Sequence, residues 1–329
     1  MTAFEPELNI EEHLIQQLTE KQSQWTLRDD IRTMQDLWKN FRRILVLNNK
    51  ELFDEHPLTD LEFLQIQDQL RFPTFYDAAK WLMGENGIAR LRVQREDAAL
   101  GTVYPVVFKR VDIAGGSSVY EVVHQIEFPR KEQMNRDRRG DVTLLINGLP
   151  MIHIELKNRH HPYKEAFNQI KKYLKEGVFR DIFSTLQMFV VSNGSDTRYI
   201  AAAAESGLNE KFLSSWLDDA NQPITDYLSF AKSVLSIPAA HKMVSQYTVL
   251  DSERKAIILL RPYQIHAIES IRNAVNPYTD GGTQSGFIWH TTGSGKTLTS
   301  YKVAHYLTQI PSVEKVVFVV DRRDLDNHG

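Results

Sequence analysis

The sequence has no cysteine among its 329 residues, which excludes disulfide bonds and thiolate metal sites. It has no apolar run approaching the roughly 20 residues that cross a bilayer, so we expect no membrane association. Its beginning, MTAFEPELNIEEHLIQQL, is acidic and lacks the basic-then-apolar order of a secretory signal. These absences are compatible with a reducing cytoplasm, and we expect a cytoplasmic protein.

A large excess of charge of either sign is also missing. The net charge is −3, so the molecule as a whole does not attract nucleic acid electrostatically. Residues 130–176 are locally basic, although a charge run of this kind is often only a solvated face. With 42% hydrophobic and 25% charged residues, the composition is that of a globular protein long enough for two domains.

The spacing of apolar residues predicts an α/β protein. Residues 8–90 have mostly helical spacing, and beyond them the period changes to two. We predict antiparallel strands within residues 90–96, 104–112 and 119–128, and a hairpin over residues 141–157. A helix over residues 163–175 and a strand within residues 186–194 follow.

The pattern changes again towards the end of the sequence. Residues 205–255 predict helices and a linker. Next come a helix from about residue 261, a strand at 286–290, a glycine loop, a helix at 298–310 and a strand at 315–320. Such alternation opens a parallel α/β sheet. We therefore predict two domains, residues 1–255 and residues 256–329.

The hairpin DVTLLINGLPMIHIELK has Asn147-Gly148 as its turn signal. Side chains alternate along a strand, so one face of its second half carries only Ile and Leu. The other face carries His153, Glu155 and Lys157. One face therefore has the character of a core and the other that of a reactive site.

The register of the hairpin decides where Asp141 lies. A three-residue loop, Asn147–Leu149, would set Ile146 opposite Pro150 and Asp141 opposite Glu155, with both carboxylates on one face. A two-residue loop would pair Asp141 with Ile154 and put the acids on opposite faces. We expect the three-residue loop, in which Gly148 supplies the left-handed residue.

Two neighbouring carboxylates repel each other unless a cation lies between them. Mg²⁺ accepts oxygen ligands and keeps several waters, so Asp141 and Glu155 are candidate metal ligands. Lys157 can orient a water or offset developing negative charge. We therefore predict metal-assisted phosphodiester hydrolysis with Asp141, Glu155 and Lys157 as catalytic residues. The competing interpretation is a solvent-facing cluster of charges.

The helix after the hairpin carries candidate DNA contacts. Gln169 and Tyr173 are four residues apart and share a stripe beside the core stripe of Phe167, Ile170 and Leu174. An exposed amide and phenol near Lys164, Lys171 and Lys172 can contact a sugar-phosphate backbone without reading its sequence. We expect Gln169, Tyr173, Lys164 and Lys172 to bind DNA.

The segment HTTGSGKT, residues 290–297, has the pattern of a phosphate-binding loop. Backbone N–H groups and the helix N-terminus surround the phosphates of ATP in such a loop. The segment supplies Thr292, Gly293, Ser294, Gly295, Lys296 and Thr297. The glycines permit the tight turn, Lys296 reaches the β and γ phosphates, and the Thr297 hydroxyl binds Mg²⁺.

The hairpin and its helix resemble the PD-(D/E)xK nuclease core in its RecB-like form. The resemblance rests on Asp141, Glu155-x-Lys157 and the Gln169-x-x-x-Tyr173 helix, with Gly140 in place of the proline. It implies a mixed-sheet, restriction-endonuclease-like nuclease domain. Many such nucleases carry a glutamate on the first helix, for which Glu11 and Glu12 are candidates.

The later segments resemble superfamily 2 helicases, with the beginning of a RecA-like domain. In RPYQIHAIESI, Gln264 resembles the Q motif, whose amide reads the adenine edge. The segment FVVDRRDLD resembles motif Ia. We reject Asp321 as a Walker B acid, because two arginines follow it and the spacing from Lys296 is short. Without such an acid before Gly329, we expect weak ATP binding at best and no turnover.

The whole order resembles the restriction (R) subunit of type I restriction-modification enzymes. The resemblance rests on the segments RGDVTLLINGLPMIHIELK, FVVSNGSDTRY, RPYQIHAIESI, GFIWHTTGSGKTLTS and VVFVVDRRDLD. It implies a nuclease that cuts double-stranded DNA without reading bases, driven by ATP and assembled with methyltransferase (M) and specificity (S) subunits. A DNA repair helicase with an attached nuclease and an inert DNA-docking module remain alternatives.

Overall fold

A computed structural model of the chain describes residues 7–20, 23–114, 116–128, 138–275, 285–308, 310 and 313–319. The chain divides into two compact units. The first contains the chain up to Trp216 together with Pro223–Leu259. The second contains Leu217–Gln222 and the chain from Leu260 onwards. Among the described residues, no helix is both long and apolar enough to traverse a lipid bilayer.

The described residues form ten α-helices, of which the last two belong to the second unit. They are α1 (Glu7–Thr19), α2 (Met34–Asn48), α3 (Lys50–Phe53), α4 (Asp60–Gln69), α5 (Phe75–Met83), α6 (Tyr163–Lys175), α7 (Tyr227–Phe230), α8 (Ala239–Ser245), α9 (Pro262–Val275) and α10 (Lys296–Leu307). Thr33, Thr59 and Thr74 begin α2, α4 and α5 by accepting a hydrogen bond from the backbone N–H three residues later. These side-chain caps satisfy N–H groups that lack partners within the helix.

The central sheet has six strands in the order β1-β6-β7-β8-β9-β10. The strands of the chain are β1 (Thr26–Leu27), β2 (Ile88–Arg90), β3 (Val93–Gln94), β4 (Thr102–Val103), β5 (Val106–Lys109), β6 (Tyr120–Phe128), β7 (Arg138–Ile146), β8 (Leu149–Leu156), β9 (Met188–Ser192), β10 (Thr197–Ala201), β11 (Trp216–Leu217), β12 (Pro223–Ile224), β13 (Thr248–Asp251) and β14 (Ala256–Leu259). In the central sheet β1 is parallel to β6 and β8 is parallel to β9, whereas the other neighbours are antiparallel. The prediction of an α/β protein with a mixed sheet is confirmed.

Strand β8 lies inside this sheet and is buried along its whole length. A parallel neighbour must be reached by a crossover, and α6 provides it between β8 and β9. Helices α1 and α6 both contact β8. The competing interpretation of a solvent-facing cluster of charges is therefore wrong for this strand, because His153 and Glu155 are each 0% exposed.

The expectation of only helices and a linker over residues 205–255 is also wrong. Residues 205–255 are not only helices and linker, because they also contain β11, β12 and β13. Strand β13 pairs with β14 in a hairpin that buries Ile257.

The described parts of the expected strands at 286–290 and 315–320 have no strand partner. Their side chains at Phe287, Trp289 and Val317 are 87%, 86% and 80% exposed. A strand is stabilised by hydrogen bonds to a neighbouring strand, and neither segment has one among the described residues.

Candidate active site

The turn of the β7–β8 hairpin has two residues, so the expected three-residue loop is wrong. Ile146 pairs with Leu149 and not with Pro150. Asn147 and Gly148 both have positive φ, 53° and 77°. This combination favours a tight turn of the I′ type, whose twist matches that of the flanking strands.

Nevertheless, the two acids reach the register that the longer loop would have produced. Leu145 pairs with Pro150 but Leu144 pairs with Ile152, so Met151 is an extra residue in β8. This β-bulge shifts the pairing by one residue. Proline has no N–H for the ladder and is tolerated at bulges, so Pro150 is the sequence signal for this irregularity.

Beyond the bulge, Val142 pairs with Ile154, which places Asp141 opposite Glu155. The pairing of β7 with β8 ends there, although β8 continues beside β9 to Leu156. The Asp141 carboxylate accepts a hydrogen bond from the Leu156 N–H, with an Oδ2–N distance of 2.8 Å. The acids therefore lie where two strands begin to separate.

Both carboxyl groups are buried, and burial shifts their titration. Asp141 is 8% exposed and Glu155 is 0% exposed. Burial raises the pKa of Glu155 to about 8, against the lowering effect of the Lys157 charge. Burial and then the charge of Glu155 raise the pKa of Asp141 well above its usual value. Two such groups in one site retain a proton unless a cation replaces it.

The two oxygens of Glu155 have different surroundings. Its Oε2 lies 3.1 Å from Nε2 of His153. Its Oε1 is buried and has no hydrogen-bond partner within the described part of the chain. A buried carboxylate oxygen without a partner beside a second carboxylate fits a divalent cation.

The set of protein ligands is small. Across the described ranges, no cluster of three or more His, Asp and Glu side chains is arranged to hold a metal ion. Mg²⁺ is often bound by only one or two carboxylates together with waters. The pair Asp141 and Glu155 is therefore compatible with Mg²⁺.

Lys157 follows Glu155 on the same side of the chain and is held by two acceptors. Its Nζ donates to the backbone oxygen of Leu156 at 2.7 Å and to Oε1 of Glu7 at 3.1 Å. Sequence reasoning missed Glu7, because no local pattern links residues that lie 150 positions apart.

Of the two candidate glutamates on α1, only Glu11 is buried, at 4% exposure, whereas Glu12 is exposed. Gln125 donates to Oε2 of Glu11 at 2.5 Å, and Nδ1 of His124 lies 2.8 Å from Oε1. The negative charge of Glu11 contributes to the raised pKa of both Asp141 and Glu155. The structure thus brings Glu11 towards the acid pair.

Helix α6 spans the predicted residues, but its core stripe differs from the expected one. Tyr173 is buried, at 3% exposure, and Leu174 is only half-buried. The Tyr173 hydroxyl accepts from Nε2 of Gln169 at 2.7 Å and donates to the Arg139 backbone oxygen at 2.8 Å. Tyr173 therefore joins α6 to β7, so the expectation that it stands on an exposed stripe is wrong.

A cleft of about 740 Å³ lies beside Lys157. It is lined by Arg138, Arg139, Lys157, Glu165, Asn168, Gln169, Lys172 and Tyr173. Basic side chains outnumber the single acidic one in the lining, and three of them, Arg138, Arg139 and Lys157, are also ion-paired with Glu176, Glu127 and Glu7. Lys164 is not part of the lining and forms an ion pair with Glu210 at 2.6 Å.

The glycine loop has the backbone conformation that the sequence predicts. Gly293 and Gly295 have positive φ, 76° and 80°. Helix α10 begins directly afterwards, at Lys296, and Gly295 offers no side chain to cap it. Lys296 and Thr297 are exposed at the start of this helix. Free N–H groups at a helix N-terminus favour a phosphate.

Gln264 lies against this loop. It is 4% exposed, and a Cβ atom built on Gly295 would lie only 2.8 Å from its Nε2. The neighbouring Tyr263 donates from its hydroxyl to the Ser294 backbone oxygen at 2.7 Å. Tyr263 was missed by sequence reasoning. Asp321 and most of the segment that resembles motif Ia lie outside the described residues.

The fold and the two sites define a two-unit α/β protein with a buried acid pair in the first unit and a glycine loop in the second. The family model described as "Type I restriction enzyme R protein N terminus" matches residues 5–207. The chain therefore belongs to this family. A model of SWI2/SNF2 ATPases matches residues 263–328.

Individual relatives agree with this assignment. An endonuclease subunit of a type I restriction enzyme from Staphylococcus aureus is 33% identical over 326 residues, 99% of this chain and 33% of the relative. The type I restriction enzyme EcoprrI endonuclease subunit of Escherichia coli is 40% identical over 136 residues, 40% of this chain and 43% of the relative. The chain spans about a third of the length of the staphylococcal relatives that it matches.

Proposed function

We propose that the first unit is a restriction-endonuclease-like domain that hydrolyses phosphodiester bonds of double-stranded DNA with Mg²⁺. The observation that carries this proposal is the buried pairing of Asp141 with Glu155, followed by Lys157. The names of the relatives, endonuclease subunits of type I restriction enzymes, agree with a nuclease.

Asp141 and Glu155 would hold the cation, which when bound stabilises negative charge on the phosphate and helps water to ionise. Oε1 of Glu155 is one open oxygen of this pair, since it has no hydrogen-bond partner among the described residues whereas Oε2 faces His153. Lys157, which its two acceptors hold beside the cleft, offsets the charge that develops on the phosphate.

The basic cleft along α6 would hold the DNA backbone. Gln169 and Lys172 line it and can contact phosphate without reading bases. Tyr173 takes part through its hydroxyl, which already bonds Gln169 and the chain of β7. Lys164 would belong to the outer rim, because its ion pair with Glu210 lies away from the cleft lining.

The second unit would be the beginning of a RecA-like domain that binds ATP. Gly293, Gly295 and Lys296 would contact the phosphates, and Gln264 would read the adenine. In the full-length subunit, this domain would drive translocation of double-stranded DNA in a cytoplasmic complex with M and S subunits. The resemblance of the last segment to SWI2/SNF2 ATPases supports the motor part of the proposal.

The test is plasmid cleavage by the full-length assembly with Lys157→Ala. The expected result is loss of cutting, by about 10²-fold or more, with ATP hydrolysis retained, because Lys157 acts on the phosphate and not on the nucleotide. Lys175→Ala is the matched control, since Lys175 is exposed on α6 and does not line the cleft. Unchanged cutting by Lys157→Ala would reject the assignment.

A second candidate, an inert DNA-docking module, is favoured by the complete burial of Glu155. A metal titration separates the two functions. The nuclease requires that Mn²⁺ binds to the chain and that Glu155→Gln, which keeps the shape but not the charge, abolishes this binding. DNA binding without any cation binding would support the docking module.

A further inference from the structure

We propose that His153, whose ring is held at Nδ1 by the Thr143 hydroxyl, is a positioning residue that holds Oε2 of Glu155 and thereby directs Oε1 to the cation. The inference rests on the proposed metal-dependent function and assigns a role to two residues that do not touch substrate. Its evidence is a chain of hydrogen bonds that runs beneath the acid pair.

The first link joins the two strands of the hairpin. Thr143 on β7 pairs directly with His153 on β8, so their side chains share a face. The Thr143 hydroxyl oxygen lies 2.9 Å from Nδ1 of His153. Both residues are buried, at 1% and 0% exposure, so water does not compete for this hydrogen bond.

The second link joins His153 to Glu155, whose Oε2 lies 3.1 Å from Nε2. An ionised carboxylate only accepts hydrogen bonds, so Nε2 must carry the hydrogen when Glu155 binds a cation. A neutral imidazole then has Nδ1 as its acceptor, and the Thr143 hydroxyl donates to it. With Glu155 ionised, the Thr143 hydroxyl therefore donates to Nδ1 of His153, and Nε2 of His153 donates to Oε2 of Glu155.

The imidazole ring is held in this orientation by its packing. The ring of Phe179 lies with its centroid 4.9 Å from that of His153, at an interplanar angle of 60°. On another side, a Cβ atom at Gly140 would lie 2.8 Å from Cε1 of His153. Glycine before Asp141 thus leaves the space that the imidazole fills.

The consequence falls on Glu155. With Oε2 held by His153, the carboxylate cannot rotate without losing a hydrogen bond in a fully buried site. Oε1 is left without a hydrogen-bond partner among the described residues, in the site where the charge of Glu155 acts on Asp141. Such an outer hydrogen bond orients a metal-binding side chain, and its loss typically lowers metal affinity about 10- to 100-fold.

The first test measures the tautomer of His153 by ¹⁵N NMR of the full chain saturated with Mg²⁺, the state in which Glu155 is ionised and can only accept. We expect the hydrogen on Nε2 in the wild type and in Thr143→Ser, which keeps the hydroxyl. In Thr143→Val, which keeps the shape but not the hydroxyl, the hydrogen should stay on Nε2, and the Nδ1 signal should shift because its hydrogen bond is lost. A hydrogen on Nδ1 in the wild type would overturn the inference.

The second test is calorimetric titration of the same variants with Mn²⁺. Thr143→Val and His153→Leu should weaken binding about 10- to 100-fold, and Thr143→Ser should restore it. Thr248→Val is the matched control, because Thr248 is also buried and its hydroxyl donates to the backbone oxygen of Met243, outside the hairpin. It should lower stability and leave Mn²⁺ affinity unchanged.

Unchanged Mn²⁺ affinity in folded Thr143→Val would overturn the positioning role. Thr143→Val keeps the test decisive if His153→Leu fails to fold. A wild-type chain that binds neither Mn²⁺ nor Mg²⁺ is a separate outcome. That last result would reject the proposed metal-dependent function instead.

Discussion

Gly140 and His153 are in such close contact that position 140 has no room for a side chain, because a Cβ atom there would lie 2.8 Å from the imidazole Cε1. The same Cβ atom at position 140 would lie 3.1 Å from Cε2 of the Phe128 ring. The small residue at position 140, before Asp141, and the imidazole at position 153, two residues before Glu155, therefore depend on each other.

The contact predicts that Gly140→Ala destabilises the first unit by about 1–3 kcal/mol through overpacking. In a His153→Ala background the same substitution should be less destabilising, because the space has been vacated. The measurement is a double-mutant cycle of urea unfolding. Equal costs in both backgrounds would show that the contact is not the cause.

The raised pKa of Glu155, about 8, predicts a dependence of stability on pH in the absence of divalent cations. The folded state holds the proton more tightly than the unfolded state, whose carboxyl has a pKa near 4.5. The stability that comes from this group is fully present below about pH 4.5 and is lost as pH rises through about 8.

Glu155→Gln removes this titration. As pH rises between these limits, the unfolding free energy of the wild type should fall relative to that of Glu155→Gln by on the order of 1 kcal/mol per pH unit. Chemical unfolding at several pH values in a chelating buffer measures the difference. Glu127→Gln, at a surface carboxyl that is 54% exposed, is the control. Parallel curves for the wild type and Glu155→Gln would contradict the prediction.

Lys172→Ala should weaken DNA binding equally for all sequences, because a lysine in the cleft contacts phosphate. The slope of log affinity against log salt should fall by about 1. Fluorescence anisotropy with two unrelated duplexes over a range of salt tests this. Lys175→Ala, on the same helix but outside the cleft lining, should leave affinity and slope nearly unchanged.

Lys296→Ala should weaken ATP binding by the full-length subunit about 10- to 100-fold, the usual effect of losing hydrogen bonds to a charged group. Mn²⁺ binding at Asp141 and Glu155 should not change, because these residues belong to the other compact unit. Titration with a fluorescent ATP analogue measures the first effect and calorimetry the second. Retained ATP affinity would remove Lys296 from the phosphate site.

Several features of the site follow from local sequence. The alternation of His153, Glu155 and Lys157 with apolar residues predicts a common face, and the 3.1 Å contact between His153 and Glu155 agrees with it. The bounds of α6 coincide with the expected residues 163–175. Two glycines suffice to predict the left-handed turns of the glycine loop. Each of these depends on neighbours within one turn or one pleat.

The register at the acids was reached by a different route from the one expected. A two-residue turn alone would have separated Asp141 and Glu155, and the extra residue Met151 reverses that outcome. Pro150 signals an irregularity there, but its size and direction depend on how β8 packs against β7 and β9. The conformational preferences of neighbouring residues do not determine which residues pair between two strands.

The sequence by itself determined which chemical groups are present and how they alternate, because propensity and periodicity act over a few residues. Only the tertiary structure decided that both faces of β8 are buried, that Glu7 reaches Lys157 and that the Thr143 hydroxyl contacts His153. These contacts join distant segments, and burial in their common core gives the acid pair its raised pKa values.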